Sequence, residues 1–140
     1  MAVFLDTSFY FSLISKKDKN HERAKSILIN IAEGKYGIPY TSNFIMNETM
    51  TLLNIRTKGT RPDLLEKMSS LFIGKEPIAE LIKINNNLLE DIVKLQIKLA
   101  NDRQILSFTD CSSIILCKKL RIDNIITFDM HFKGFLNIIC

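Results

Sequence analysis

The chain has 140 residues, 46% of them hydrophobic, which is the length of one domain and enough apolar material for a core, so a disordered polymer is excluded. The formal net charge of +4 permits a polyanionic partner without demanding one. No apolar run approaches the roughly 18–20 residues that span a bilayer, so no membrane association is expected. The first apolar stretch, broken by Asp6, lacks the basic start and cleavage site of a signal peptide, so a cytoplasmic location is expected.

Taken in chain order, residues 2–5 are a short apolar run that predicts a buried strand, and residues 8–14 a first helix. A polar loop follows over 15–20. Residues 21–33 carry Ala24, Ile27, Leu28 and Ile31 at helical spacing, with Asn20 as the N-cap and Gly34 as the terminator. Residues 38–41 predict a second strand. Ser42 or Asn43 caps the next helix, which runs to about Arg56 and places Glu48 on a stripe with Phe44, Ile45, Thr51, Leu52 and Ile55. Lys58-Gly59-Thr60 is a break, and Thr60 with Pro62 and Asp63 starts a helix to about Phe72. Residues 78–84 predict a third strand, 85–101 a long amphipathic helix and 109–120 another. Residues 124–127 are a fourth strand and 136–139 a fifth, at an edge. The alternation of short apolar strands with helices predicts one domain over residues 1–140, an α/β fold in three α/β/α layers around a parallel sheet of four to five strands.

Four acids share one kind of location in that scheme. Asp6 ends the first strand, Asp129 ends the fourth, Asp110 opens a helix, and Glu48 lies inside another among apolar neighbours. In a parallel sheet the carboxyl ends of strands and the amino ends of helices lie on one rim, where ligands bind. Each acid has an ordinary structural explanation. Asp6 suits a turn or helix cap, Ser107-x-x-Asp110 a capping box, with Thr109 as the alternative cap, and Asp129 a turn. Glu48 suits a rim position near a basic side chain. Jointly the four would repel, and a divalent cation resolves that cost. An oxygen-only donor set suits Mg²⁺ or Mn²⁺, ions that act on phosphate esters. The three cysteines, Cys111, Cys117 and Cys140, form no C-x-x-C pair, which argues against zinc and against a disulfide framework. His21 and His131 lack metal-ligand spacing and are read as structural or surface residues, His131 being the one close to Asp129.

The strings Phe4-Leu5-Asp6-Thr7-Ser8, Asn47-Glu48-Thr49, Leu106-Ser107-Phe108-Thr109-Asp110 and Ile126-Thr127-Phe128-Asp129-Met130-His131-Phe132 resemble the PIN domain family over nearly the whole chain. The resemblance implies a helix-sandwiched parallel sheet and a metal-dependent endoribonuclease, of the kind found as the toxin of a toxin–antitoxin pair. It implies Asp6, Glu48, Asp110 and Asp129 as the catalytic and metal-binding acids, Thr7 and Thr109 as supporting hydroxyls, a small antitoxin protein as partner, and a homodimer. Asp6, Asp110 and Asp129 would hold the ion, and Glu48 would bind it through water or position the attacking water. Arg56, Lys58 and Arg61 are candidate RNA contacts, as are Lys16, Lys17, Lys19 and Arg23.

Two other readings compete. A strand-terminal Asp beside Thr also suits an aspartyl-phosphate phosphotransfer protein, but Ser8 stands where the phosphatase pattern wants a second Asp, and no basic residue stands at the late strand end. A non-catalytic RNA- or protein-binding module would use the acidic pocket only to hold its partner, and no acid is missing to suggest that loss.

Overall fold

The computed structural model describes residues 1–140. The strands are β1 (Ala2–Leu5), β2 (Ile38–Ser42), β3 (Glu80–Ile82), β4 (Asn124–Ile126) and β5 (Asn137–Ile139). All pair in parallel, in the order β3-β2-β1-β4-β5. The helices are α1 (Thr7–Ile14), α2 (His21–Ala32), α3 (Asn43–Arg56), α4 (Pro62–Ile73), α5 (Asn86–Leu99) and α6 (Phe108–Leu120), with one turn of 3-10 helix at Met130–Phe132. The chain builds outward from β1 to β3, then returns across β1 to lay down β4 and β5. The reversal falls between β1 and β4, where a parallel sheet opens a crevice at the carboxyl ends of its strands.

The central strands carry the core. Val3, Phe4, Leu5, Ile125 and Ile126 are fully buried, as strands covered on both faces require. On one face Tyr10 of α1 stacks on Phe72 of α4 at a centroid distance of 4.0 Å, joining the two helices through aromatic surface.

Several expectations need correction. The third strand is shorter than residues 78–84. Asn43, a candidate cap, instead accepts the Ile84 N–H on Oδ1 at 2.8 Å and donates Nδ2 to the Ile84 carbonyl at 3.4 Å, replacing ladder partners there. Ser42 is the cap of α3, accepting from Ile45 N–H at 3.1 Å. The buried stripe of α3 is Ile45, Thr49 and Leu53, not the face assigned to it. Thr51 is exposed and Ile55 is 67% exposed, so Glu48 sits beside the stripe, half-buried at the rim. At the start of α4 the Thr60 hydroxyl turns back to the Thr57 carbonyl at 2.6 Å, and Arg61 holds the cap position. At the start of α2, Asn20 holds the cap position but its side chain caps nothing; Asp18 accepts the Asn20 N–H at 2.8 Å instead.

Gly34 closes α2 at φ +76° as expected, whereas α6 ends on a side chain that tolerates this conformation poorly. Arg121 sits at φ 56°, so that the Ile122 N–H reaches the Cys117 carbonyl at 2.8 Å. Left-handed backbone costs an L-residue about 1–2 kcal/mol, and glycine avoids that cost. Arg121→Gly is therefore expected to raise stability by about 1 kcal/mol in denaturant unfolding, with no effect on RNA cleavage; a loss of stability would show that the Arg121 side chain contributes packing that outweighs the strain.

Candidate active site

The end of β1 delivers Asp6 to the crevice between β1 and β4. Its N–H donates to the Ile126 carbonyl at 3.1 Å, which locks its position across the two strands. Asp6 precedes α1, yet its side chain caps nothing. Its Oδ2 instead accepts from Thr127 Oγ1 at 2.7 Å and from Ser8 Oγ at 3.4 Å, and the two hydroxyls are 3.0 Å apart. Ser8 Oγ accepts the Phe128 N–H at 2.9 Å, and Thr127 Oγ1 accepts the Asp129 N–H at 3.0 Å. The capping explanation for Asp6 thus fails, and a network of side chains from both ends of the chain takes its place.

Asp6 is only 4% exposed. Burial pushes its carboxyl up from an ordinary 3.8 to about 7; the charges of Asp110 and Glu48 push the same way, against the bonds from Thr127 and the Thr7 N–H. Asp110 is the N3 residue of a capping box: Ser107 Oγ accepts the Asp110 N–H at 2.9 Å and Asp110 Oδ2 accepts the Ser107 N–H at 3.0 Å. Its side chain is 13% exposed. Burial raises its pKa and the neighbouring Asp129 adds to this, while Ser107 and His131 oppose. The structural role and membership of the acidic cluster therefore coexist in Asp110. Asp129 is a turn residue whose Oδ1 accepts the His131 N–H at 3.0 Å and lies 3.1 Å from His131 Nδ1; the same imidazole nitrogen is 4.0 Å from Asp110 Oδ2. Glu48 faces the same rim from the second turn of α3, and its charge is felt at Asp6.

The fold brings the four acids to one rim, and no lysine or arginine pairs with any of them; His131 is their one potentially cationic neighbour. No three of the acids are already gathered at chelating distance. Of the two hydroxyls assigned as supports, Thr7 Oγ1 is buried without a partner, and Thr109 contributes its carbonyl to Ser112 at 2.6 Å and no hydroxyl bond to the acids. The hydroxyls that engage Asp6 are Ser8 and Thr127. Their signal was the spacing of two residues, Asp6 to Ser8 and Thr127 to Asp129, but their contact joins positions 119 apart.

Of the candidate RNA contacts, Arg56 and Arg61 line one cleft, with Lys16 and Lys17. Lys58, at φ 54° in the turn after α3, lies outside it. Lys19 is exposed and outside it as well, and Arg23 donates to the Cys140 carbonyl at 2.8 Å. His21 is structural, its Nδ1 2.7 Å from the Ser12 carbonyl.

The model of the PIN domain family matches residues 3–135. The chain belongs to the PIN domain family. Among curated PIN-type relatives it is similar to the 23S rRNA-specific endonuclease VapC20 of Mycobacterium tuberculosis, 28% identical over 138 residues and covering 97% of each chain. It also matches a VapC ribonuclease of Archaeoglobus fulgidus, 38% identical over 56 residues, a stretch that is 40% of this chain and 36% of that protein. The crystal structure of M. tuberculosis VapC20, described as a sarcin–ricin loop cleaving toxin, superposes with a TM-score of 0.79 at 26% identity over 96% of each chain. VapBC2 of Rickettsia felis, solved bound to a promoter DNA fragment, shares the fold at a TM-score of 0.68 and 15% identity, covering 99% of this chain and 98% of that one. The parallel sheet and the helices on its faces are thus those of the PIN fold. No helix is long and apolar enough to cross a membrane.

Proposed function

We propose that this PIN-domain protein is a metal-dependent endoribonuclease and the toxin of a toxin–antitoxin pair. The observation that carries the reading is Asp6: a nearly buried carboxylate at the switch point of the sheet, facing two further acids, with no basic side chain to balance it. Folding tolerates such a group poorly unless it serves a ligand. The likeness to two VapC ribonucleases supports the same reading.

The donor set fits Mg²⁺ or Mn²⁺ in kind and in charge, being all carboxylate with an excess of negative charge around Asp6. Asp6, Asp110 and Asp129 would hold the ion, with Glu48 reaching it through water. When bound, it would polarise the phosphate and lower the pKa of a water. The protein's own part is positional. Thr127 and Ser8 hold one oxygen of Asp6, the capping box holds Asp110, and the backbone of His131 holds Asp129. Glu48, which has no ion-pair partner, orients the attacking water and accepts its proton as oxygen adds to phosphorus. The ester bond opposite breaks, and the leaving oxygen takes up a proton from solvent. An antitoxin protein would mask this rim, and the active form would be a homodimer.

The test is cleavage of labelled RNAs, single strands and a sarcin–ricin loop hairpin among them, with Mg²⁺, Mn²⁺ or EDTA. Cutting is expected with either ion and not with EDTA, and it should vanish in Asp110→Asn. Cutting that persists in EDTA and in the variant would overturn the reading. A folded protein that binds RNA but never cuts would favour the binding module instead.

A further inference from the structure

A surface cleft of about 820 Å³ lies between α1, α3 and α4 and holds no part of the acidic cluster. Five cations line it, Lys16, Lys17, Arg56, Arg61 and Lys67, against a single acid, Asp63. Asp63 is already engaged by Arg61, at 2.9 and 3.0 Å. The other four cations have no acidic partner, so one cleft concentrates a positive excess as large as that of the whole chain. Cations do favour helix C-termini, and Arg56 ends α3 while Lys16 and Lys17 follow α1. Each helix end, however, offers only about half a negative charge, too little to account for four. The Arg56 guanidinium also lies 5.7 Å from the centroid of the Phe11 ring, which limits its rotation and leaves its donors to a partner.

The cleft is joined to the acidic rim by the helices that form it. Asp6 precedes α1 and Lys16 follows its end; Glu48 lies on α3 and Arg56 ends it. All eight residues of α1 lie between Asp6 and Lys16, and Arg56 stands eight positions after Glu48 on α3, so each acid and cation are roughly 12 Å apart along the helix at 1.5 Å per residue. We propose that this cleft seats the sugar–phosphate backbone of the RNA strand on one side of the scissile phosphate, its cations contacting phosphates and its order along the strand set by α1 and α3. The inference rests on the ribonuclease reading and deepens it. A second basic depression, between α5 and α6, is smaller at about 470 Å³ and offers lysines without an arginine, which makes it the natural control.

The experiment measures binding separately from cutting. A short fluorescein-labelled single-stranded RNA is titrated in EDTA, by anisotropy, between about 50 and 200 mM salt. The slope of log affinity against log salt is expected to become shallower by about 0.7 for each phosphate contact removed, hence by about 1.4 in the Lys17→Ala/Arg56→Ala double variant. Affinity should fall at every salt concentration, and the Lys98→Ala/Lys118→Ala pair on the α5–α6 face should match wild type. Equal losses in both pairs would overturn the proposal by showing diffuse charge attraction. No loss in the cleft variant would also overturn it, and would leave an acidic protein segment as the cleft's occupant. Cleavage by wild type in Mn²⁺ keeps the two readings apart: if wild type cuts while the cleft variant binds normally, only the cleft assignment falls.

Discussion

Asp6→Asn is expected to abolish RNA cleavage and at the same time to make the protein more stable at neutral and alkaline pH. In the folded chain the Asp6 carboxyl titrates near 7, against 3.8 ordinarily. Below about pH 4 the group is protonated in both states and contributes no penalty. Between about pH 4 and 7 the folded chain retains a proton that the unfolded chain has released, so stability falls as pH rises. Above about pH 7 the penalty is constant, on the order of 4 kcal/mol. Asparagine has the same shape and no charge. The Tm of Asp6→Asn should therefore exceed that of wild type by several degrees at pH 8 and match it at pH 4, in EDTA. Added Mg²⁺ or Mn²⁺ should raise the wild-type Tm at pH 8 and leave the variant unmoved. A gain of equal size at both pH values would show that the burial of Asp6 carries no charge penalty, and would remove the argument for a cation there.

Thr127→Val should have the second-largest effect. The two side chains have nearly the same volume, so the fold is expected to survive. Thr127 is fully buried and its hydroxyl serves three partners, donating to Asp6 and meeting Ser8 and the Asp129 N–H. Valine leaves a carboxylate oxygen and an N–H short of a partner in a buried place, at about 1–3 kcal/mol. Cleavage is expected to fall by about tenfold to a hundredfold if that cost appears in the transition state. The hydroxyl also lowers the Asp6 pKa, so its loss should displace the acidic limb of the pH–rate profile to higher pH. Thr127→Ser should restore both rate and profile. A slow variant with the wild-type profile would show that Thr127 acts on the fold and not on Asp6.

Much of this architecture was legible because its signals are local. An apolar run ended by an acid reads as a strand with its carboxyl end marked, and two such runs, ending at Asp6 and Asp129, placed half the acidic rim. The capping box at Ser107 and Asp110 was legible for the same reason, since its partners are three residues apart. The phase of α3 was not. Phe44, Ile45, Met46, Met50, Leu52, Leu53 and Ile55 spread apolar groups over most of that helix, leaving only a narrow polar face at Asn47, Thr51 and Asn54, and the buried stripe includes the polar Thr49. Periodicity cannot choose the buried stripe within so broad an apolar arc. The pairing of Ser8 with Thr127, and the arrival of Lys67 beside Lys16, depend on tertiary adjacency that no spacing announces.

The crevice between β1 and β4 joins segments about 120 positions apart in the sequence. Asp6 and Ser8 are made well before Thr127 and Asp129, which complete their network. A ribosome that stalls just before residue 124 releases a chain with β1 and three of the acids, Asp6, Glu48 and Asp110, but without the neighbouring strand that positions Asp6. Assembly of the acidic rim thereby waits for β4 to be made. Products truncated before β4 are therefore born without the assembled rim.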